Sequence, residues 1–209
     1  MRYVRIFLAV VIGAIPAAAV GAVVAFVPAF DASRAEANSP AALDQDALAS
    51  VVAIEADGAY VGTGVVVTRD GIVITSYDIA MLTLRDHKRL VIPSAMARAA
   101  SVVALDAKNG IAALQMRGVI PPAAKLDAKG EAHATGARGI DLAVCRTANG
   151  ATVQIEVRGT QPLSDCNVCP VFSPKTGRLK GIMIAATATR NAAYRSAKQL
   201  LSFIEPPTK

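Results

Sequence analysis

Hydrophobic and polar positions divide the chain into three unequal stretches. Residues 6–30 carry no charge; Arg2 and Arg5 stand before them and Asp31 closes the run. As a helix, 25 residues extend about 37 Å at ~1.5 Å per residue, enough to cross a hydrocarbon core of about 30 Å. The two early arginines favour a cytoplasmic N-terminus and export of the chain beyond the apolar run. A cleaved signal peptide is the alternative, although its apolar core is usually about 7–15 residues. Ala17-Ala18-Ala19 and Ala35-Glu36-Ala37 both carry the small-x-small cleavage pattern. Residues 1–31 therefore read as a membrane anchor or signal segment. Residues 32–47, polar and containing Asn38, Ser39 and Pro40, read as a linker. No second long apolar run is present, so the chain is expected to cross the membrane at most once.

From about residue 48 the pattern changes to short β-like runs: 50–54, 60–68, 72–75, 101–105, 140–147, 151–158 and 179–186. Turn signals separate many of them, which favours an all-β sandwich or barrel. Arg69-Asp70-Gly71 supplies the Asp-Gly step of a tight hairpin, where glycine accepts positive φ. Residues 192–204 switch to helical spacing, with Leu200, Leu201 and Ile204 on one face and Pro206 beyond as a stop. The expected picture is a set of strands closed by one C-terminal helix.

Composition changes this picture little. The formal charge of +6 and pI near 9.5 bear on solubility and association rather than on fold. With few aromatics and no recognition motif, no nucleic-acid role is indicated. The C-terminal stretch carries Lys175, Arg178, Lys180, Arg190, Arg195 and Lys198 against Glu205, a solvated basic face or a surface for an acidic partner. His87 lies in the charged run Arg85-Asp86-His87-Lys88-Arg89 and His133 in Glu131-Ala132-His133-Ala134; both read as surface positions.

Three motifs in order carry more. The first is Gly62-Thr63-Gly64-Val65-Val66-Val67, then Asp70-Gly71, then Ile74-Thr75-Ser76-Tyr77-Asp78-Ile79. The second runs from Ala100 through Leu105-Asp106-Ala107-Lys108-Asn109-Gly110 to Leu114. The third is Asp165-Cys166-Asn167-Val168-Cys169-Pro170-Val171-Phe172, followed by Thr176-Gly177-Arg178-Leu179-Lys180-Gly181-Ile182. Together they resemble the HtrA-type, trypsin-like serine peptidases over residues 48 to 205. The resemblance implies an all-β double β-barrel with a C-terminal helix: barrel one about 48–118, barrel two about 130–187, six strands each, and the helix about 192–204.

The resemblance also implies that the catalytic positions are emptied. Peptidases of this type need a serine oxygen, an imidazole to take its proton, and a carboxylate to hold the imidazole. The matching positions here hold Asn167, Asp78 and Gly110. An amide is not a competent nucleophile, and glycine has no side chain with which to orient a base. Asp165, Val168 and Cys169 stand where glycines would let backbone N–H groups converge on an oxyanion. The expectation is a catalytically degenerate member, with no catalytic residue, cofactor or metal.

The residues admit two other chemistries. A shift of register would make Cys166 a nucleophile, but a reactive thiol needs an adjacent base or another means of lowering its pKa, and Asp78 has the wrong charge. A metal site from Cys166, Cys169 and a histidine would have one Cys-x-x-Cys, whereas structural zinc usually takes four ligands. In an oxidising compartment the cysteines read instead as disulfide partners. The resemblance sets the strand of Cys145 beside the strand after the nucleophile loop, so Cys145 is expected to pair with Cys169, or with Cys166.

The functional expectation is a non-catalytic module on the outer side of the cytoplasmic membrane, periplasmic and single-pass. It would bind a protein or extended peptide partner, or scaffold an envelope complex. The alternatives are an active serine- or cysteine-type endopeptidase with relocated residues, or a structural accessory subunit. The oligomeric state is not legible.

Overall fold

The computed structural model describes residues 43–93, 98–127, 140–157, 166–185 and 192–205. The apolar run 6–30, the linker up to residue 42, and His133 lie outside the described residues. The chain divides into two units, Met1–Asn38 and Ser39–Lys209, and every described residue belongs to the second. Among the described residues no helix is long and apolar enough to cross a membrane.

The described part opens on a short helix, α1 (Gln45–Ala49), capped by Asp44, whose carboxylate accepts from the Ala47 N–H at 2.7 Å. Six strands come next: β1 (Val51–Ala56), β2 (Ala59–Val66), β3 (Ile72–Ser76), β4 (Leu90–Ile92), β5 (Arg98–Asp106) and β6 (Ile111–Met116). Helix α2 (Tyr77–Leu84) is inserted between β3 and β4. The six strands close into a barrel in the order β1-β2-β3-β6-β5-β4, with β4 returning to pair with β1 at Glu55↔Val91. The expected Asp-Gly turn joins β2 to β3, with Gly71 at φ +92°.

The second half is β7 (Asp141–Arg146), β8 (Thr152–Val157), β9 (Val168–Phe172), β10 (Leu179–Ile184) and β11 (Ala193–Ser196), followed by α3 (Ala197–Ile204). Among the described residues these strands form a five-stranded sheet, ordered β11-β10-β9-β7-β8, where six strands were expected. The C-terminal helix is present but starts at Ala197, five residues later than its apolar spacing suggests. Residues Ala193–Ser196 are extended against β10, with Ile182↔Arg195 in register. Ser196 then caps the helix: the Gln199 N–H donates to its Oγ, and the Ser196 N–H donates to Gln199 Oε1 at 2.9 Å. That reciprocal capping box fixes the start of a helix more firmly than periodicity does.

The barrel strands read as nearly continuous apolar runs for a definite reason. Successive side chains point to opposite faces, and where β1, β2, β3 and β6 meet the sheet both faces are buried. Val52, Val66, Val73, Ala112 and Leu114 face the barrel interior. Their neighbours Val51, Val65, Ile74, Ile111 and Ala113 face away from it, into a second core shared with Leu142, Val144, Val168, Phe172, Ile182 and Leu200. Barrel and sheet are therefore joined by a common apolar seam.

Polar ties reinforce that seam. Arg146, at the end of β7, donates from Nε to the Val51 carbonyl at 2.8 Å and from Nη2 to the Leu48 carbonyl at 3.3 Å. Tyr60 Oη donates to the Arg146 carbonyl, and the Arg146 N–H donates to Thr63 Oγ1 at 3.2 Å. Burial holds the Arg146 guanidinium below its ordinary pKa, yet its donors remain engaged. Arg146→Ala removes the side-chain donor from the Val51 and Leu48 carbonyls, so stability should fall by about 1–3 kcal/mol, read as a lower urea midpoint at unchanged slope. An unchanged midpoint would remove Arg146 from the seam.

Gly181 gives a steric check. A Cβ there would run into the Arg195 carbonyl and stand 2.6 Å from the Tyr194 ring carbon Cζ. Gly181→Ala should therefore destabilise by about 1–3 kcal/mol, measured by the same titration, even though alanine is otherwise the better strand residue.

Candidate functional site

A cleft of about 410 Å³ opens at the junction of barrel and sheet, lined by Tyr60, Val61, Ser76, Asp78, Ile79, Leu82, Asn167, Ile184 and Ala185. Two of the three positions singled out by the sequence, Asp78 and Asn167, are walls of this one cavity. The third, Gly110, is not a lining residue but lies beside it. Its carbonyl accepts from the Tyr77 N–H at 2.9 Å, one residue from Asp78.

Each of the three has a local reason to be what it is. Asp78 is in the first turn of α2, after the cap Ser76. A carboxylate there is favoured by the exposed N–H groups and dipole of the helix start. Gly110 ends the turn after Asp106 and has φ +73°, a left-handed backbone that glycine adopts without strain. An aspartate at 110 would have to enter that region. Asn167 is exposed, and its Nδ2 donates to the Val61 carbonyl at 2.9 Å, bridging the sheet side to β2.

The remaining polar groups of the cleft are also committed. Ser76 is buried, and its Oγ accepts from the Ile79 N–H at 3.3 Å as the helix cap. Tyr60 Oη is held by the Arg146 carbonyl and Thr63. No imidazole and no cysteine lines the cavity among the described residues. His87 is exposed in the loop after α2, at φ +53°, and His133 lies outside the described residues. The hydroxyls of the cleft thus have no imidazole beside them among the described residues.

The residues directly after Asn167 run into β-structure. Val168 and Cys169 belong to β9 and pair with Ile184 and Met183 of β10. The Asn167 carbonyl accepts from the Ala185 N–H at 3.0 Å. Asp165 lies outside the described residues.

The three cysteines gather one layer behind this wall. The β7–β9 pairing runs through Leu142↔Phe172 and Ala143↔Val171, and continuing that register sets Cys145 opposite Cys169. The pairing ends just before Pro170, which has no N–H to give a ladder. Cys166 completes the group. Its sulfur is bonded to Cys145 and also stands within bonding reach of Cys169, while the sulfurs of Cys145 and Cys169 are 3.2 Å apart. A thiol with low pKa needs cationic or basic neighbours; these three sit among Ala143, Val157, Val171 and Met183.

Sequence reading missed the part of the cleft's apolar side formed by Ile79 and Leu82, because α2 was not foreseen. The signal was present in Ser76 followed by Asp78, a cap with a first-turn acid. It also missed two tethered cations. Arg195 donates from Nε to the Asn109 carbonyl at 2.7 Å, and Lys180 pairs with Asp141 at 2.9 Å. Two members of the C-terminal basic set are therefore structural rather than surface charges awaiting a partner.

The turn that presents Gly110 hinges on Asp106. Its Oδ1 accepts from the Asn109 N–H at 2.9 Å, and its carbonyl accepts from the Gly110 N–H at 2.8 Å. Burial pushes the Asp106 carboxyl up. Hydrogen bonds from the Asn109 side chain and from the Asn109 and Lys108 backbone, with the charge of Arg195, outweigh this and hold it below the ordinary carboxylate value. A depressed folded pKa contributes stability above the unfolded value, and that stability is lost as pH falls through the folded one. The stability gap between the protein and Asp106→Asn should be full at neutral pH and close below about pH 4, in denaturation curves taken across that range. A gap independent of pH would show that the charge of Asp106 does not matter.

No protein-family model matches the sequence, and no curated protein is similar to it. Solved structures do match. Deg5 superposes with a TM-score of 0.58 at 17% identity, covering 75% of this chain and 88% of that one. The MamO protease domain from Magnetospirillum magneticum, apo form, gives 0.54 at 18% identity, covering 76% of this chain and 97% of that domain. The Rv3671c protease in its inactive form gives 0.52 at 18% identity, with coverage of 76% and 88%. Proteins this distant in sequence share architecture and not necessarily chemistry. The chain has the fold of the trypsin-like, HtrA/Deg-type serine proteases.

Proposed function

We propose that this protein is a non-catalytic member of the trypsin-like fold. Anchored by residues 6–30 on the outer side of the cytoplasmic membrane, it holds an extended segment of a protein partner in the cleft between barrel and sheet. The observation that carries this reading is the composition of the cleft. Asp78 and Asn167 stand on its walls, the Ser76 and Tyr60 hydroxyls are engaged elsewhere, and no imidazole lines it among the described residues. The cavity that remains is partly apolar, through Val61, Ile79, Leu82 and Ile184. Apolar clefts with a few fixed polar groups are what ligand and peptide sites look like, and extended peptides are commonly held beside strands by main-chain hydrogen bonds.

The test is peptide binding by the full chain in detergent, using a library of extended peptides and fluorescence polarisation. Ala185 lines the cleft, so Ala185→Trp fills it without removing a hydrogen-bonding side chain. Peptides selected on the unaltered protein should bind the variant at least about tenfold more weakly, a loss of about 1.4 kcal/mol, while its circular dichroism is unchanged. Equal binding by both would move the site elsewhere. Absence of any binder would favour a structural accessory subunit.

A further inference from the structure

The three-cysteine cluster lies outside the cleft chemistry and has a property of its own. Cys145 comes from β7, Cys169 from β9, and Cys166 from the residues just before β9. All three are almost fully buried, at 4%, 1% and 3% exposure. The Cα separations are 6.2 Å for Cys145 and Cys166 and 5.9 Å for Cys166 and Cys169, both inside the span a disulfide bridges without backbone movement, about 4.4–6.8 Å. A sulfur makes one disulfide, so these two pairings are alternatives that share Cys166.

We infer that Cys145, Cys166 and Cys169 form a thiol–disulfide exchange set, holding one disulfide and one thiol per chain, in which Cys166 passes between Cys145 and Cys169. The step balances internally. The Cys169 thiolate attacks the Cys166 sulfur, the Cys145–Cys166 bond breaks, and its electron pair leaves on Cys145, which takes up a proton. No net oxidation occurs. Only the first bond requires an oxidant, a disulfide of the glutathione class, which accepts two electrons as the two thiols lose their protons. The surroundings favour this neutral arrangement over a metal held by three thiolates. Ala143, Val157, Val171 and Met183 enclose the sulfurs, and uncompensated charge is costly in such a place. The attacking species is the thiolate.

The exchange bears on the cleft because Asn167 lies between the two alternatives. With Cys145–Cys166 formed, the segment before β9 is tied across to β7. With Cys166–Cys169 formed, it closes on its own strand and Cys145 is left as the thiol. Asn167, which bonds to the Val61 carbonyl, sits inside that small ring in the second state only.

Mapping of the remaining thiol decides the matter. The full chain, reduced in detergent and equilibrated with oxidised glutathione, is quenched in acid, denatured, alkylated and digested without reduction. One label per chain is expected, divided between Cys145 and Cys169, with Cys166 unlabelled. Label on Cys166, label confined to one of the other two, three labels, or a metal ion retained by the reduced protein would each overturn the inference. Cys145→Ser and Cys169→Ser should each lock one pairing and give different NMR shifts for the Asn167 side-chain amide. Identical shifts would sever the cluster from the cleft.

Discussion

The seam between barrel and sheet is the constraint on which everything else in this molecule depends. Each barrel strand near it must be apolar on two faces at once, one toward the barrel interior and one toward the sheet. A slip of one residue would exchange the two sets. Val51 and Val52 are identical in size, as are Val65 and Val66, so packing alone fixes the register weakly here. The polar ties therefore matter out of proportion to their number. Arg146 reaches the carbonyls of Leu48 and Val51, Tyr60 returns to the Arg146 carbonyl, and Asn167 reaches Val61. Each holds one half to a single place on the other, and the cleft is the gap that this placement leaves.

The three positions that the resemblance matches to a catalytic triad each have a structural part in this frame. Asp78 stabilises the start of a helix, Gly110 permits a left-handed turn, and Asn167 spans the cleft wall. Each contributes to the frame. The same is true of the loop around Asn167, whose residues are taken up in pairing with β10.

Much of the first barrel was legible in the sequence because its strands are short, continuous in apolar character, and punctuated by Asp70-Gly71 and by the turn from Asp106 to Gly110. The meeting of Asp78 and Asn167 in one cavity was reached through the order of three motifs, since the long stretch of chain between them contains no local signal for it. Helix α2 escaped notice because eight residues are too few for periodicity to declare itself, and its cap had been read as part of a motif. The late start of α3 has a similar origin: Ala193–Ser196 can satisfy either period, and pairing with β10 decides. The role of Arg146 was invisible for a different reason. A long cation near a strand end reads as surface, and only the tertiary arrangement supplies the carbonyls that bury it. The shared position of Cys166 is likewise a matter of tertiary geometry, because spacing permits every pairing among three cysteines.

The central claim is that this cleft has the shape of a peptidase site and lacks its chemistry. Hydrolysis measures it directly. The full chain, purified in detergent and incubated for days with casein and with peptides that bind the cleft, should leave every peptide bond intact by mass spectrometry. It should also take no label from serine- or cysteine-directed active-site probes. Cleavage that accompanies the protein through purification and disappears when Ala185→Trp blocks the cleft would contradict the account.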